Sequence, residues 1–117
     1  MKTDQKNIIT KDRPAAESLK KILDEISPVR IAVIGDFCLD AYWFIDDSMS
    51  EISIETGVPT RPVSIQRYSL GGAGNVAANL AALGVRNVHA FGVTGPDPFG
   101  TEMIRIMHET GINTENL

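Results

Sequence analysis

The sequence predicts a layered α/β fold that carries a small β lid. Three observations predict it: a short β-branched run followed by Gly-Asp, two helical segments closed by glycine, and a central stretch that alternates apolar and polar residues. Buried parallel strands are short apolar runs, and in α/β folds they alternate with helices along the chain. The net charge of -4 and the scattered Lys and Arg residues give no reason to expect nucleic-acid binding.

The composition predicts a soluble cytoplasmic protein. Cys38 is the single cysteine, so no intrachain disulfide forms. The polar first residues lack the apolar stretch of a signal peptide, and no apolar run approaches the ~20 residues that a membrane span needs. The two histidines and Cys38 lie far apart and form no recognisable metal motif, so we expect no metal site.

Residues 1–28 are predicted to form a leader and a helix before the main domain. Residues 1–12 are polar, and Asp12 followed by Pro14 is typical of a helix start. Apolar residues then recur at helical spacing: Leu19, Ile22, Leu23 and Ile26. We expect an amphipathic helix that ends before Pro28.

Residues 29–117 are predicted to form the main domain. The run from Val29 to Ile34 is typical of a strand that is buried on both faces. Residues 45–70 alternate apolar and polar residues between prolines and a glycine, and they predict the lid. The segments that follow predict a helix over 75–83, a strand over 88–93 and a helix over 99–110, with Gly84 and Gly111 as helix stops. The residues after Gly111 lead towards a further strand, so we expect an incomplete sheet.

The glycine-rich segment is the first candidate for a binding site. Gly71, Gly72 and Gly74 allow close approach of backbone or ligand, and they precede a helix start at Asn75. The free N–H groups of that start favour an anion or a hydroxylated ligand. One alternative is a tight turn with Asn75 as the cap. Another is the dinucleotide fingerprint G-x-G-x-x-A at residues 72–77, although the segment before it is not a buried strand.

Asp36 and Asp40 are the second candidate, because they follow the first predicted strand. Ligands of α/β sheets collect at the carboxyl ends of the strands, and ionised carboxylates are strong acceptors for sugar hydroxyls. One alternative is that Asp36 caps a turn and Asp40 is solvated. The other is a catalytic carboxylate pair, as in glycosidases.

Three further groups of residues are expected to be structural. The aromatic cluster of Tyr42, Trp43 and Phe44 either packs on a sugar or anchors the lid, and we favour packing in the core. Cys38 is expected to be a small buried hydrophobe. His89 and His108 have no evident carboxylate or cysteine partner.

Three stretches of the chain, in this order, resemble the ribokinase-like (PfkB) sugar kinase family. They are RIAVIGDFCLDAYW (30–43), YSLGGAGNVAANLAALGV (68–85) and GVTGPDPFG (92–100). Within the family the chain is most similar to the heptose-phosphate kinases of the lipopolysaccharide pathway, through GDFCLDAYWF and SEISIETGVPTRPV (50–63). Ala41 stands where that subfamily usually has a basic residue.

The resemblance implies a three-layer α/β sandwich, here partial, in which the sugar binds between the lid and the sheet edge. It implies that Asp40 holds sugar hydroxyls and that Asn75 hydrogen-bonds to the sugar. Gly71 and Gly72 match the diglycine that lets the lid hinge and the sugar approach. Asp36 is expected near the same pocket.

The resemblance also implies phosphate transfer from ATP with Mg²⁺. The catalytic G-x-G-D segment and the ATP site are expected beyond Leu117, so no catalytic or cofactor residue is predicted in this chain and the fragment alone is expected to be inactive. Lids of the family often pair, which implies a possible homodimer. The alternative function is a non-catalytic sugar-binding or dimerisation module of the same fold, and a nucleotide-dependent oxidoreductase fragment is a more distant one.

Overall fold

The computed structural model describes residues 16–117, and the predicted leader and the helix-start signal at Asp12 and Pro14 lie outside them. The described residues form three α-helices, five strands and one 3-10 turn. In chain order they are α1 (Ala16–Ile26), β1 (Arg30–Ile34), β2 (Phe37–Ile45), the 3-10 turn (Asp47–Met49), β3 (Val63–Gly72), α2 (Ala73–Ala82), β4 (Asn87–Phe91), α3 (Pro98–Glu109) and β5 (Ile112–Asn116).

The main sheet contains three parallel strands in the order β1-β4-β5. Val33 lies opposite Ala90 in the register of the first pair. The helix before β4 and the helix before β5 are each followed by a glycine of positive φ, 95° at Gly84 and 81° at Gly111, which turns the chain back into the sheet. The predicted α/β class is therefore confirmed, and the residues after Gly111 do form a further strand.

Helices α2 and α3 cover one face of this sheet. Alternate strand residues point towards them and are buried with Ala77, Met103 and Met107 of the helices. These strand residues are Val33, Val88, Ala90 and Ile112. Ile34, on the opposite face, is 80% exposed. The expectation that the first strand is buried on both faces is therefore wrong for residues 16–117, because no described element packs over its second face.

Strands β2 and β3 form a separate antiparallel ribbon. Its base packs into the core through Phe37 and Leu70, which are both buried. The lid predicted over 45–70 corresponds to β3 and to the ribbon tip, which is the segment between β2 and β3. Strand β2, at residues 37–45, lies before the predicted lid. That strand does not alternate, since apolar side chains occupy both of its faces, and its sequence therefore carries no period-2 signal.

The outer part of the ribbon projects from the domain. The expected core position of the aromatic cluster is wrong, because Tyr42, Trp43 and Phe44 are 53%, 59% and 46% exposed. Cys38 is also exposed rather than buried. The three aromatic residues are exposed because only the base of the ribbon contacts the core. Cys38 lies at the base but on the ribbon face opposite to Phe37, so it points away from the core.

Helix α1 is confirmed and ends at Ile26, before Pro28. Ile26 packs against the core, and the backbone N–H of Arg86 donates to the carbonyl of Ser27 at 3.1 Å. None of the helices within residues 16–117 is long and apolar enough to cross a membrane.

Candidate functional site

The candidate site lies where β1 ends, the ribbon begins and α2 starts. Gly35 and Asp36 connect β1 to β2, and β3 runs directly into α2. The backbone N–H of Ala73, the first residue of α2, donates to the carbonyl of Asp36 at 2.8 Å. This bond ties the base of the ribbon to the helix start at the carboxyl edge of the sheet, the edge at which ligands of α/β folds bind.

The ribbon register sets Asp40 beside Gly71. Cys38 lies directly opposite Gly71, and Asp40 lies opposite Ser69. Side chains two residues apart on a strand share a face, so Cys38 and Asp40 both project over the glycine. A Cβ on Gly71 would lie 2.7 Å from Cys38 Sγ and 2.9 Å from Asp40 Oδ1. The missing side chain therefore provides the space that the carboxylate occupies.

Gly72 has a different role from Gly71. Its φ is 53° and its ψ is -129°, a conformation that is almost confined to glycine. A Cβ here would also lie 2.5 Å from the carbonyl oxygen of Asp36. Gly72 thus allows the sharp turn from β3 into α2. Gly71 leaves space on the ribbon face that carries Asp40.

Asn75 lies in the first turn of α2 and not at its cap. The helix begins at Ala73, earlier than the sequence predicts, and its N-cap is Gly72, which makes no side-chain capping bond. The capping alternative for Asn75 is therefore wrong. Its Oδ1 accepts from Asn79 Nδ2 at 3.3 Å, and among residues 16–117 the two N–H donors of Asn75 have no partner.

Asp36 is tied to the site through its backbone carbonyl, which accepts the hydrogen bond from Ala73. Its side chain is exposed and accepts no hydrogen bond from the residues that the structure describes. The nearest groups to the space over Gly71 are Cys38 and Asp40, not Asp36. The structure thus brings together Asp40 and the glycine pair, and it gives Asp36 the carbonyl that holds the helix start.

A neighbouring cleft of about 190 Å³ lies between the ribbon base and the start of α3. Sequence reasoning missed Asp97, the N-cap of α3, although Asp followed by Pro is a recognisable helix-start signal. Its Oδ1 accepts from the backbone N–H groups of Phe99 and Gly100 at 2.8 and 2.9 Å. These amides are therefore occupied, and the start of α3 is no anion site.

The dinucleotide alternative does not fit this arrangement. The fingerprint requires a buried parallel strand before the glycines. Here β3 precedes them, and it pairs antiparallel with β2 in the ribbon, outside the parallel sheet. In the part of the chain that the structure describes, no three His, Cys, Asp or Glu side chains cluster as metal ligands would.

A parallel α/β layer, an antiparallel ribbon at its carboxyl edge and a carboxylate beside a diglycine together define a partial ribokinase-like fold. Comparison with known families agrees with this class. The pattern of the pfkB family carbohydrate kinases matches residues 3–117, and the chain belongs to that family.

Several curated proteins are similar to the chain. It is 41% identical over 92 residues to a D-beta-D-heptose 7-phosphate kinase of Bordetella bronchiseptica, a match that covers 79% of this chain and 28% of the relative. It is 42% identical over 93 residues to the bifunctional protein HldE of Methylococcus capsulatus, covering 80% of this chain and 19% of the relative. The HldE protein of Mesorhizobium japonicum is 32% identical over 110 residues, 94% of this chain and 22% of the relative. The chain thus spans less than a third of the length of these relatives.

Proposed function

We propose that this chain is the substrate-binding, N-terminal part of an ATP-dependent sugar kinase and that Asp40 binds hydroxyls of the sugar. One observation carries the proposal: the Asp40 carboxylate lies against the bare α-carbon of Gly71, on an exposed ribbon face. An ionised carboxylate is a strong acceptor for hydroxyl groups, and a glycine beside it lets a sugar ring approach the backbone.

Four other residues complete the proposed site. Gly71 leaves space for the sugar, and Gly72 forms the turn between β3 of the ribbon and α2. Asn75 donates to a sugar hydroxyl through the Nδ2 group that its bond with Asn79 leaves free. Asp36 holds the start of α2 through its carbonyl, and so it positions the site without contacting the sugar.

The relatives support a sugar phosphate as the substrate. The similar protein of Bordetella bronchiseptica is named a heptose 7-phosphate kinase. We therefore propose a heptose 7-phosphate as the acceptor of the whole protein, with one of its hydroxyls as the site of phosphorylation. The same proposal places the protein in the cytoplasm, where ATP is available.

The described residues would bind and orient the acceptor sugar. ATP, with Mg²⁺, supplies the transferred γ-phosphoryl group when bound, and positioning and charge neutralisation supply most of the acceleration of such transfers. The start of α3 does not fit a nucleotide phosphate, because Asp97 already occupies its amides. We assign none of residues 16–117 to the nucleotide, and we expect this chain alone to be inactive. Closure of the ribbon over the sugar would exclude water.

A second candidate function is a sugar-binding or dimerisation module that does not itself catalyse transfer. The exposed apolar side chains of the outer ribbon favour an association of two ribbons, since contiguous exposed apolar surface marks interaction sites. They include Tyr42, Phe44 and Ile65. Sedimentation of the wild type and of Phe44→Ser tests the dimerisation role. A ribbon dimer dissociates in the variant, whereas a monomeric wild type contradicts that role.

Calorimetric titration tests the proposed function. The purified chain is titrated with a heptose 7-phosphate and with a panel of other sugars and sugar phosphates. We expect saturable binding that Asp40→Asn abolishes, because the amide keeps the shape of the side chain and removes its charge. Asp47→Asn, at the exposed ribbon tip, is the matched control and should bind normally. Equal binding by Asp40→Asn and wild type would contradict the proposal.

A further inference from the structure

The ribbon face that carries Asp40 also carries an arginine. Arg67 of β3 lies directly opposite Tyr42, and Ser69 lies opposite Asp40. Directly opposed residues share a face, and Tyr42 is two residues from Asp40, so Arg67 belongs to the same face. Two residues along a strand correspond to about 7 Å. A carboxylate at the base of this face is therefore followed by a guanidinium nearer the ribbon tip.

The guanidinium of Arg67 is held by an aromatic ring. Its Cζ lies 5.3 Å from the centroid of Phe44, which is on the same face. Stacking of this kind restricts the side chain while its N–H donors stay available. An arginine that is ordered before binding loses less conformational entropy when a ligand arrives.

The charge of Arg67 has no partner within residues 16–117. The structure shows no salt bridge and no side-chain hydrogen bond for it there. Arg105 shows the contrast, because Glu102 and Glu109 both accept hydrogen bonds from it. Asp46, beyond the far end of β2, accepts instead from Ser48. Within the part of the chain that the structure describes, the donors of Arg67 are therefore available to an external acceptor.

We propose that Arg67 binds the phosphate of a phosphorylated sugar and so sets a preference for sugar phosphates over the free sugars. The proposal rests on the proposed function, in which Asp40 holds the hydroxyls. An arginine fork matches two phosphate oxygens, whereas a carboxylate repels them. The charge order along the face thus orients the substrate, with its hydroxyl end at Asp40 and its phosphate towards the ribbon tip.

The ratio of two affinities tests this inference. The chain is titrated with a heptose 7-phosphate and with the same heptose without phosphate. Arg67→Ala should weaken binding of the phosphorylated sugar about tenfold and leave that of the free sugar unchanged. Arg67→Lys keeps the charge without the fork and should lie between. Arg86→Ala, which lies before β4 at the opposite edge of the sheet, is the control and should behave as wild type.

The outcomes separate this inference from the function on which it rests. If Asp40→Asn abolishes binding of both sugars but Arg67→Ala leaves the ratio of affinities unchanged, the assignment of Arg67 is wrong and the site at Asp40 stands. If Asp40→Asn has no effect, or if the wild type binds neither sugar, the proposed function fails and this inference fails with it. A selective tenfold loss in Arg67→Ala, with Arg86→Ala unaffected, supports it.

Discussion

The carboxylate of Asp40 lies so close to the α-carbon of Gly71 that a methyl group on this carbon would clash with it. The ideal Cβ position on Gly71 is 2.9 Å from Asp40 Oδ1, closer than such atoms approach in real proteins. An alanine at this position would force the neighbouring side chains of Cys38 and Asp40 to move, whereas the backbone conformation of Gly71 does not itself demand a glycine.

Gly71→Ala should weaken sugar binding at least tenfold, because the methyl group displaces the Asp40 carboxylate. A shift of about 1 Å in a positioned group is enough for such losses. Calorimetric titration measures the effect. Gly57→Ala, in the ribbon tip, is a control. The variant is strained by the positive φ of 68°, but its Cβ would meet nothing within 4 Å, and binding should be unchanged. Unchanged affinity in Gly71→Ala would contradict the proposed place of the sugar.

Gly72→Ala should destabilise the fold by about 3 kcal/mol, because a strained backbone and a steric conflict add together. Its Cβ would lie 2.5 Å from the Asp36 carbonyl oxygen. Urea unfolding gives the free energy. Gly84→Ala is the matched comparison, since Gly84 has a positive φ but open space around it, and about 1–2 kcal/mol is expected there. Equal losses in the two variants would show that the conflict with Asp36 is relieved.

Asp97→Ala should lower the free energy of unfolding by about 1 kcal/mol, the typical effect of losing an N-cap. The alanine leaves the backbone N–H groups of Phe99 and Gly100 without their acceptor. Asp97→Asn retains an acceptor oxygen and should recover most of the loss. Chemical denaturation compares the three proteins, and an alanine variant as stable as wild type would contradict the capping role.

Bound sugar should protect Cys38 from alkylation. The thiol is exposed and lies beside Asp40 over Gly71, so a sugar held at Asp40 would cover it. Because Cys38 is the single cysteine, one mass increment with iodoacetamide reports on this position alone. We expect slower labelling with a heptose 7-phosphate present and no such protection in Asp40→Asn. Identical labelling rates with and without sugar would place the ligand elsewhere.

The contribution of Glu102 to stability should depend on pH. The hydrogen bond from Arg105 holds the pKa of the Glu102 carboxyl below its ordinary value of 4.5. A carboxyl whose pKa is lowered by folding stabilises the protein above its unfolded pKa, and the stabilisation is lost as the pH falls through the folded value. Glu102→Gln should therefore lower the Tm at neutral pH and have little effect in acid. Glu55→Gln, in the ribbon tip, is the control. A Tm difference that is the same at both pH values would contradict this coupling.

Much of the fold follows from local sequence signals. The helix at Ala16–Ile26, the β-branched first strand and the two glycine-stopped helices are all confirmed, because spacing and glycine stops are properties of a few neighbouring residues. The first ribbon strand was harder to predict. Apolar residues of β2 occupy both faces of the ribbon, so residues 37–45 show no alternation of apolar and polar residues.

The roles within the candidate site were only partly predictable. The sequence predicted that Asp40 and the diglycine belong together, but it did not predict that Asp36 acts through its carbonyl or that Asn75 lies inside the helix turn. A backbone carbonyl can accept a hydrogen bond whatever the residue type, so the sequence does not reveal such bonds. Ala73 and Gly74, which precede Asn75, extend the helix without adding to the apolar spacing that predicts one. Whether these residues bind a sugar stays a prediction.

By itself, the sequence determined the α/β class, the helices and strands of the main layer and the candidate site residues. Only the tertiary structure decided which of these residues share a surface. The pairing of β2 with β3 joins residues that the intervening lid tip separates in the chain, and the register of such a pair depends on packing at both of its ends. That register sets Cys38 and Asp40 over Gly71 and places Arg67 on the same face, since shifting it by one residue would send each of these side chains to the other side of the ribbon.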